Sequence, residues 1–131
     1  MAKKFITKDT GHHKQFKSGM NREIDEGKPR FDLILPNKQK LENTLLYRWA
    51  MLMERGAIKY DERNWEKSNS IEELERFKSS AFRHFIQAIK GVEDGEDHFA
   101  AVCFNINAIV FLTDNLGVDF NGKKDKKNSL E

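Results

Sequence analysis

Four carboxylates and a histidine crowd residues 91 to 105, "GVEDGEDHFAAVCFN", directly before the most apolar run of the chain. Glu93, Asp94, Glu96 and Asp97 repel one another at neutral pH unless a cation or a dipole compensates them. Spacing alone offers two compensations. If Asp94 is the N-cap of a helix, Glu96 and Asp97 fall in its first turn and favour the positive end of the macrodipole. If the helix starts one turn earlier, Glu93, Glu96 and Asp97 share a face at i, i+3 and i+4. Hard oxygen donors in that pattern suit Mg²⁺, which keeps several waters and takes substrate phosphates as further ligands.

Other side chains carry the same double reading. Arg83 and His84 are adjacent on a helical stretch: an exposed arginine beside a border histidine, or a phosphate fork beside a group that orients a carboxylate or a water. Lys59, Tyr60, Asn64 and Trp65 lie in the non-periodic stretch "RGAIKYDERNW", where the aromatic rings either anchor a loop or form a base-stacking platform next to a cation. Lys28 and Arg30 sit on "GKPRFDL" with Asp32, a solvated charge run or a second phosphate contact. His84 and His98 among acids are similar to the donors of HD-type phosphohydrolases, but the order here is Asp97-His98 and the His-Asp dipeptide is missing. The chain has no P-loop, nucleophile elbow, Cys/His zinc spacing or Gly-rich dinucleotide loop.

The elements that must position these groups read as all-α. Leu41, Leu45, Leu46, Trp49, Leu52 and Met53 recur at helical steps, predicting a helix over about 38–56 with Gly56 as its stop. Ser70 and Glu73 form a capping box that opens a second helix over about 70–91, with its apolar stripe from Ile71 to Ile89. A third helix is expected over about 94–116, ended by Gly117. Residues 28–36, bracketed by Pro29 and Pro36, read as extended. Residues 1–27 read as a flexible basic arm, 28–117 as the helical core, and 118–131 as a disordered tail, together one domain. No strand pair with a hairpin signal is evident.

Composition limits the partners. The 131 residues carry a net charge of +2, with 38% apolar residues and ten Phe. A basic arm of +5 over residues 1–40 precedes an acidic body of −4 over 41–117. That asymmetry suits a nucleotide phosphate held against a metal. The Phe residues fall at helical spacing rather than among Lys and Arg, which argues against nucleic acid. Cys103 is the lone cysteine and reads as a buried thiol in a reducing compartment. No signal peptide is visible, and the run from Phe99 to Leu112 reads as too short and too polar to span a bilayer. A soluble, cytoplasmic protein is expected (host cytoplasm if the gene is a phage's). The third helix is apolar on nearly every side, so a homo-oligomer, dimer or tetramer, is expected to cover it.

Taken in order, "GKPRFDLILP", "RGAIKYDERNWEK", "AFRHFIQAIKG" and "GEDHFAAVCFN" resemble the dATP/dGTP diphosphohydrolase N-terminal family, common in bacteriophage genomes and similar to the all-α MazG-like pyrophosphohydrolases. The resemblance covers about residues 27–113. It implies a Mg²⁺-dependent enzyme, with Mn²⁺ as substitute, that cleaves a purine deoxynucleoside triphosphate to the monophosphate and pyrophosphate. It implies metal ligands at Glu93, Glu96 and Asp97, catalytic roles for Glu93, Asp97 and His84, and substrate contacts at Lys28, Arg30, Lys59, Tyr60, Asn64, Trp65 and Arg83. Two features depart from the pattern. The Glu-x-x-Glu of MazG-like enzymes is missing from the second helix, with Glu54 the available substitute, and Val92 separates Gly91 from Glu93. A silent nucleotide-binding module and a small helical interaction protein are the alternative readings.

Overall fold

The structure, a computed structural model, describes residues 4–124. Two compact units divide the chain, Met1–Ile34 and Leu35–Glu131.

The first unit contains a hairpin that the sequence reading did not anticipate. Strands β1 (His13–Gln15) and β2 (Asn21–Glu23) pair antiparallel, with His13 opposite Glu23. Gly19, at φ 93°, makes the turn, and its N–H donates to the Phe16 carbonyl at 2.9 Å. The strands are three residues long and lack an alternating apolar pattern, so no periodicity could reveal them. Polar side-chain contacts accompany the backbone pairing instead: His13 Nε2 lies 3.1 Å from Asp9 and 3.0 Å from Glu23. Phe31–Ile34 closes into a 3₁₀ turn, where an extended segment was expected.

The second unit is built on three α-helices among the described residues: α1 (Leu45–Tyr60), α2 (Ile71–Ile89) and α3 (His98–Leu116). Each boundary differs from the sequence expectation for an identifiable reason. α1 starts at residue 45 rather than 38 because Leu41–Asn43 forms a 3₁₀ turn and the Thr44 hydroxyl caps the Tyr47 N–H at 3.2 Å. Gly56 does not end α1. It keeps a helical backbone, and the helix runs four residues further to Tyr60, where Asp61, at φ 105°, is its C-cap. Asn64–Lys67 then forms a second 3₁₀ turn.

α2 opens on the expected capping box. Ser70 Oγ accepts the Glu73 N–H at 3.2 Å, while the Glu73 carboxylate accepts from Ser70 Oγ and from the Asn69 N–H. It closes at Gly91 (φ 66°), with the Val92 N–H reaching back to the Gln87 carbonyl in a Schellman motif. Gly95, at φ 85°, interrupts any helical run through the acidic segment, so α3 begins at residue 98 and not 94.

α3 lies between α1 and α2. By length and composition it could cross a membrane; in this fold it is the central helix. Ala100, Ala101 and Ala108 are buried on it, small enough to let its neighbours approach closely. Leu74, Ile109 and Leu112 form the core, with Phe77, Ala81, Phe111, Leu116 and Val118 packed around them. Val118 is the residue after Gly117, and its N–H bonds the Thr113 carbonyl, so the stop signal of α3 also delivers an apolar side chain to the core. Residues 118–124 turn back towards α2, where Lys78 Nζ donates to the Phe120 carbonyl at 3.0 Å. The remainder of the expected tail lies outside the described residues.

Candidate functional site

The acids of residues 93–97 divide into two pairs with different fates. Asp97 is the N-cap of α3, accepting the Ala100 N–H at 3.1 Å. The same carboxylate receives Arg48 of α1 in a bidentate pair, both contacts at 2.7 Å. The Arg48 guanidinium, followed by the Ala100 N–H, holds Asp97 below the usual carboxylate range against the opposing effect of burial. Asp94 accepts from the Glu96 N–H at 3.1 Å and contacts His98 Nε2 at 2.9 Å, and the first of these is the larger cause of its lowered pKa. Glu93 and Glu96 are exposed, with no ion-pair partner among the described residues.

Two histidines are buried beside them. His84 of α2 and His98 of α3 are 8% and 4% exposed, and their Nδ1 atoms lie 2.8 Å apart. Asp94, His98 and His84 thus form one continuous polar chain running into the helical layer. Burial first, then the positive charge of Arg83, pushes His84 below the usual histidine range, so its ring is neutral at pH 7.

A cleft of about 530 Å³ opens alongside. α1 contributes Leu52, Arg55, Gly56 and Tyr60; the connection after it contributes Asp61, Arg63, Asn64 and Trp65. Phe77, Ser80 and His84 come from α2, Glu96 and Asp97 from the acidic segment, and Ala101, Phe104 and Asn105 from α3. Trp65 reaches the cleft because its ring packs edge-on against Phe111 (centroids 5.0 Å apart) and Phe104 (6.2 Å). It is therefore both an anchor and a wall. Arg63 is neutralised by Glu66 at 2.7 Å, which leaves Arg55 as the lining cation with no ion pair among the described residues.

Of the residues singled out from the sequence, the cleft brings together His84, Glu96, Asp97, Tyr60, Asn64 and Trp65. Glu93, Lys59 and Arg83 are exposed and do not line it; Lys59 Nζ instead sits 4.9 Å from the Tyr60 ring centroid. Glu93, Glu96 and Asp97 do not share a helical face, since all three precede α3. Lys28 and Arg30 belong to the first unit, where Arg30 pairs with Asp32 at 2.7 Å and Lys28 lies 3.8 Å from Asp25.

Arg48, Arg55 and Asn105 escaped the sequence reading, and Gly56 entered it only as a helix stop. Arg48 and Arg55 lie two turns apart, flanking Leu52 of the apolar stripe of α1, a spacing that would have revealed both arginines. Asn105, buried in the most apolar helix and bonded to the Ala101 carbonyl at 2.8 Å, is the kind of polar residue that a pure core helix does not need.

The fold and the cleft define a small helical domain with a single-molecule pocket edged by histidine, carboxylate and guanidinium groups. Residues 18–119 match the family model described as dATP/dGTP diphosphohydrolase, N-terminal, and the chain belongs to that family. No curated protein and no solved structure matches it.

Proposed function

We propose that the chain hydrolyses a purine deoxynucleoside triphosphate to the monophosphate and pyrophosphate, with the nucleotide held in the α1–α2–α3 cleft. The observation that carries this reading is the make-up of that cleft: aromatic rings, a free arginine and an unpaired carboxylate line one volume of nucleotide size. Trp65 and Phe104 offer apolar faces to a base, with Asn64 and Asn105 at hand for its polar edge. Arg55 takes a phosphate, for which its planar fork of donors is suited. Glu96 and neutral His84 orient the attacking water at the α-phosphorus.

Magnesium is the ion that the resemblance implies. The donors present fit one contact to it rather than three, because Asp97 is occupied by Arg48 and Glu93 lies off the cleft. Of the chain's residues, Glu96 would hold a magnesium ion carried by the triphosphate, which would neutralise phosphate charge there. This sparse carboxylate set also favours a second reading, a module that binds the nucleotide without cleaving it.

Incubation with a panel of nucleotides and Mg²⁺, followed by chromatography of the products, distinguishes the two. Release of dAMP or dGMP with pyrophosphate is expected. Retained but intact nucleotide would establish the binding module instead. In the active protein, Arg55→Ala should lower kcat/KM by about 100-fold, roughly 3 kcal/mol of lost transition-state stabilisation. Arg83→Ala, made in parallel, should have a smaller effect; the reverse order would move the phosphate site to the Arg83 side of α2.

A further inference from the structure

The geometry points to a transition-metal site at His84, His98 and Glu96, which shares only Glu96 with any magnesium that arrives with a nucleotide. Each of the three offers a donor atom, and these atoms all lie within 4.8 Å of one another. The two imidazole donors lie within a few tenths of an ångström of the spacing of ligands to one ion. Atoms each about 2.1 Å from a metal, at angles between square and tetrahedral, lie roughly 3.0–3.4 Å apart. His84 Nδ1 and His98 Nδ1 are 2.8 Å apart. In the metal-free protein one of these nitrogens carries a proton and bonds the other. On loading, His84 changes tautomer, its proton passing from Nδ1 to Nε2, so that the Nδ1 lone pairs of both neutral rings become available to the ion.

The surroundings match what such ligands need. Asp94 Oδ1 accepts from His98 Nε2 at 2.9 Å, which fixes the His98 tautomer with its lone pair on Nδ1. A carboxylate behind a ligating histidine, holding its other N–H, is the usual support of imidazole–metal bonds. Both rings are more than nine-tenths buried, so they are positioned before any ion arrives. Glu96 is exposed, has no ion-pair partner among the described residues, and already offers a carboxylate oxygen within 4.8 Å of both imidazole donors. His84 and Glu96 also line the cleft, which leaves the remaining coordination positions open to water or a phosphate oxygen.

The donor set chooses the class of ion. Two imidazoles with one carboxylate suit Mn²⁺, Fe²⁺, Co²⁺, Ni²⁺ or Zn²⁺, whereas Mg²⁺ prefers an all-oxygen shell. The second candidate cluster, Asp9, His13 and Glu23, has one imidazole, and that ring is already paired with both carboxylates. It serves as an internal control.

Cobalt titration of the untagged, nucleotide-free protein tests the assignment, because Co²⁺ reports its ligands through visible absorption. One Co²⁺ per chain is expected, displaced by Zn²⁺ and not by millimolar Mg²⁺. Glu96→Gln and His98→Gln should each weaken binding by at least 10-fold, and Asp94→Asn by about 10- to 100-fold. His13→Gln should change nothing. Glu96 is exposed, so its variant folds even if the buried histidines tolerate no change. Absence of Co²⁺ binding, displacement by equimolar Mg²⁺, or sensitivity to His13→Gln with indifference to Glu96→Gln would overturn the site. Nucleotide is absent throughout, so failure to hydrolyse nucleotides does not bear on the result.

Discussion

Asp97 joins three tasks in one carboxylate: it caps α3, ties α1 to α3 through Arg48, and borders the cleft. The residue therefore belongs to stability as well as to the site. Asp97→Asn keeps a capping oxygen but loses the charge, and should cost about 1 kcal/mol; Asp97→Ala loses both, and should cost about 2–3 kcal/mol. Urea denaturation at constant slope measures the difference. The pH dependence has a definite sign. Because its folded pKa is lowered, the Asp97 contribution is fully present above the ordinary aspartate value and disappears as pH falls through the lower folded value. The acid limb of the stability profile should be shallower in Asp97→Asn than in the native chain. An unchanged acid limb would mean that Arg48 and Asp97 do not pair in solution.

At the scale of the element, α1 combines a weakness with an opening. Gly56 sits inside the helix, where it costs about 1 kcal/mol relative to alanine. A Cβ built there meets no atom within 4 Å, because the position faces the cleft. Gly56→Ala should therefore raise stability by up to about 1 kcal/mol while weakening nucleotide retention, a split that calorimetry and equilibrium dialysis read separately. If retention is unchanged, this stretch of α1 does not contact the ligand. Beyond the helix, Asp61 at φ 105° and Arg63 at φ 58° are the non-glycine residues with positive φ among those described, and both line the cleft. They turn the chain so that the 3₁₀ segment delivers Asn64 and Trp65 to the cleft wall.

At the scale of the whole molecule, three helices leave much apolar surface uncovered. Phe82 is 70% exposed and Ile89 60% on α2, and Val110 61% and Ile106 51% on α3. We propose that a second copy of the chain covers these exposed apolar side chains, as self-association of like faces does in homo-oligomers. Light scattering should report a dimer or larger at micromolar concentration, and Phe82→Asp together with Val110→Asp should shift it towards the monomer. A native chain that scatters as a monomer of 15.3 kDa would remove this proposal.

The helical nature of the second unit, its capping box at Ser70 and its stop at Gly117 were legible from the sequence because each depends on residues within one or two turns. Apolar periodicity, an N-cap oxygen and a left-handed glycine act locally, so the linear order records them. The family was legible for a similar reason: its motifs are short and ordered along the chain. The hairpin at residues 13–23 was not legible, since backbone pairing and polar side-chain contacts rather than apolar alternation hold it. The allocation of the acids was also beyond reach. Whether Asp97 binds a metal or an arginine depends on Arg48, 49 residues away, and only packing of α1 against α3 brings the two together. In the same way His84 and His98 are separate in sequence, and their nitrogens meet because small alanines let the helices approach. Local sequence determined which elements form; tertiary packing decided which charges are neutralised and which remain free for chemistry.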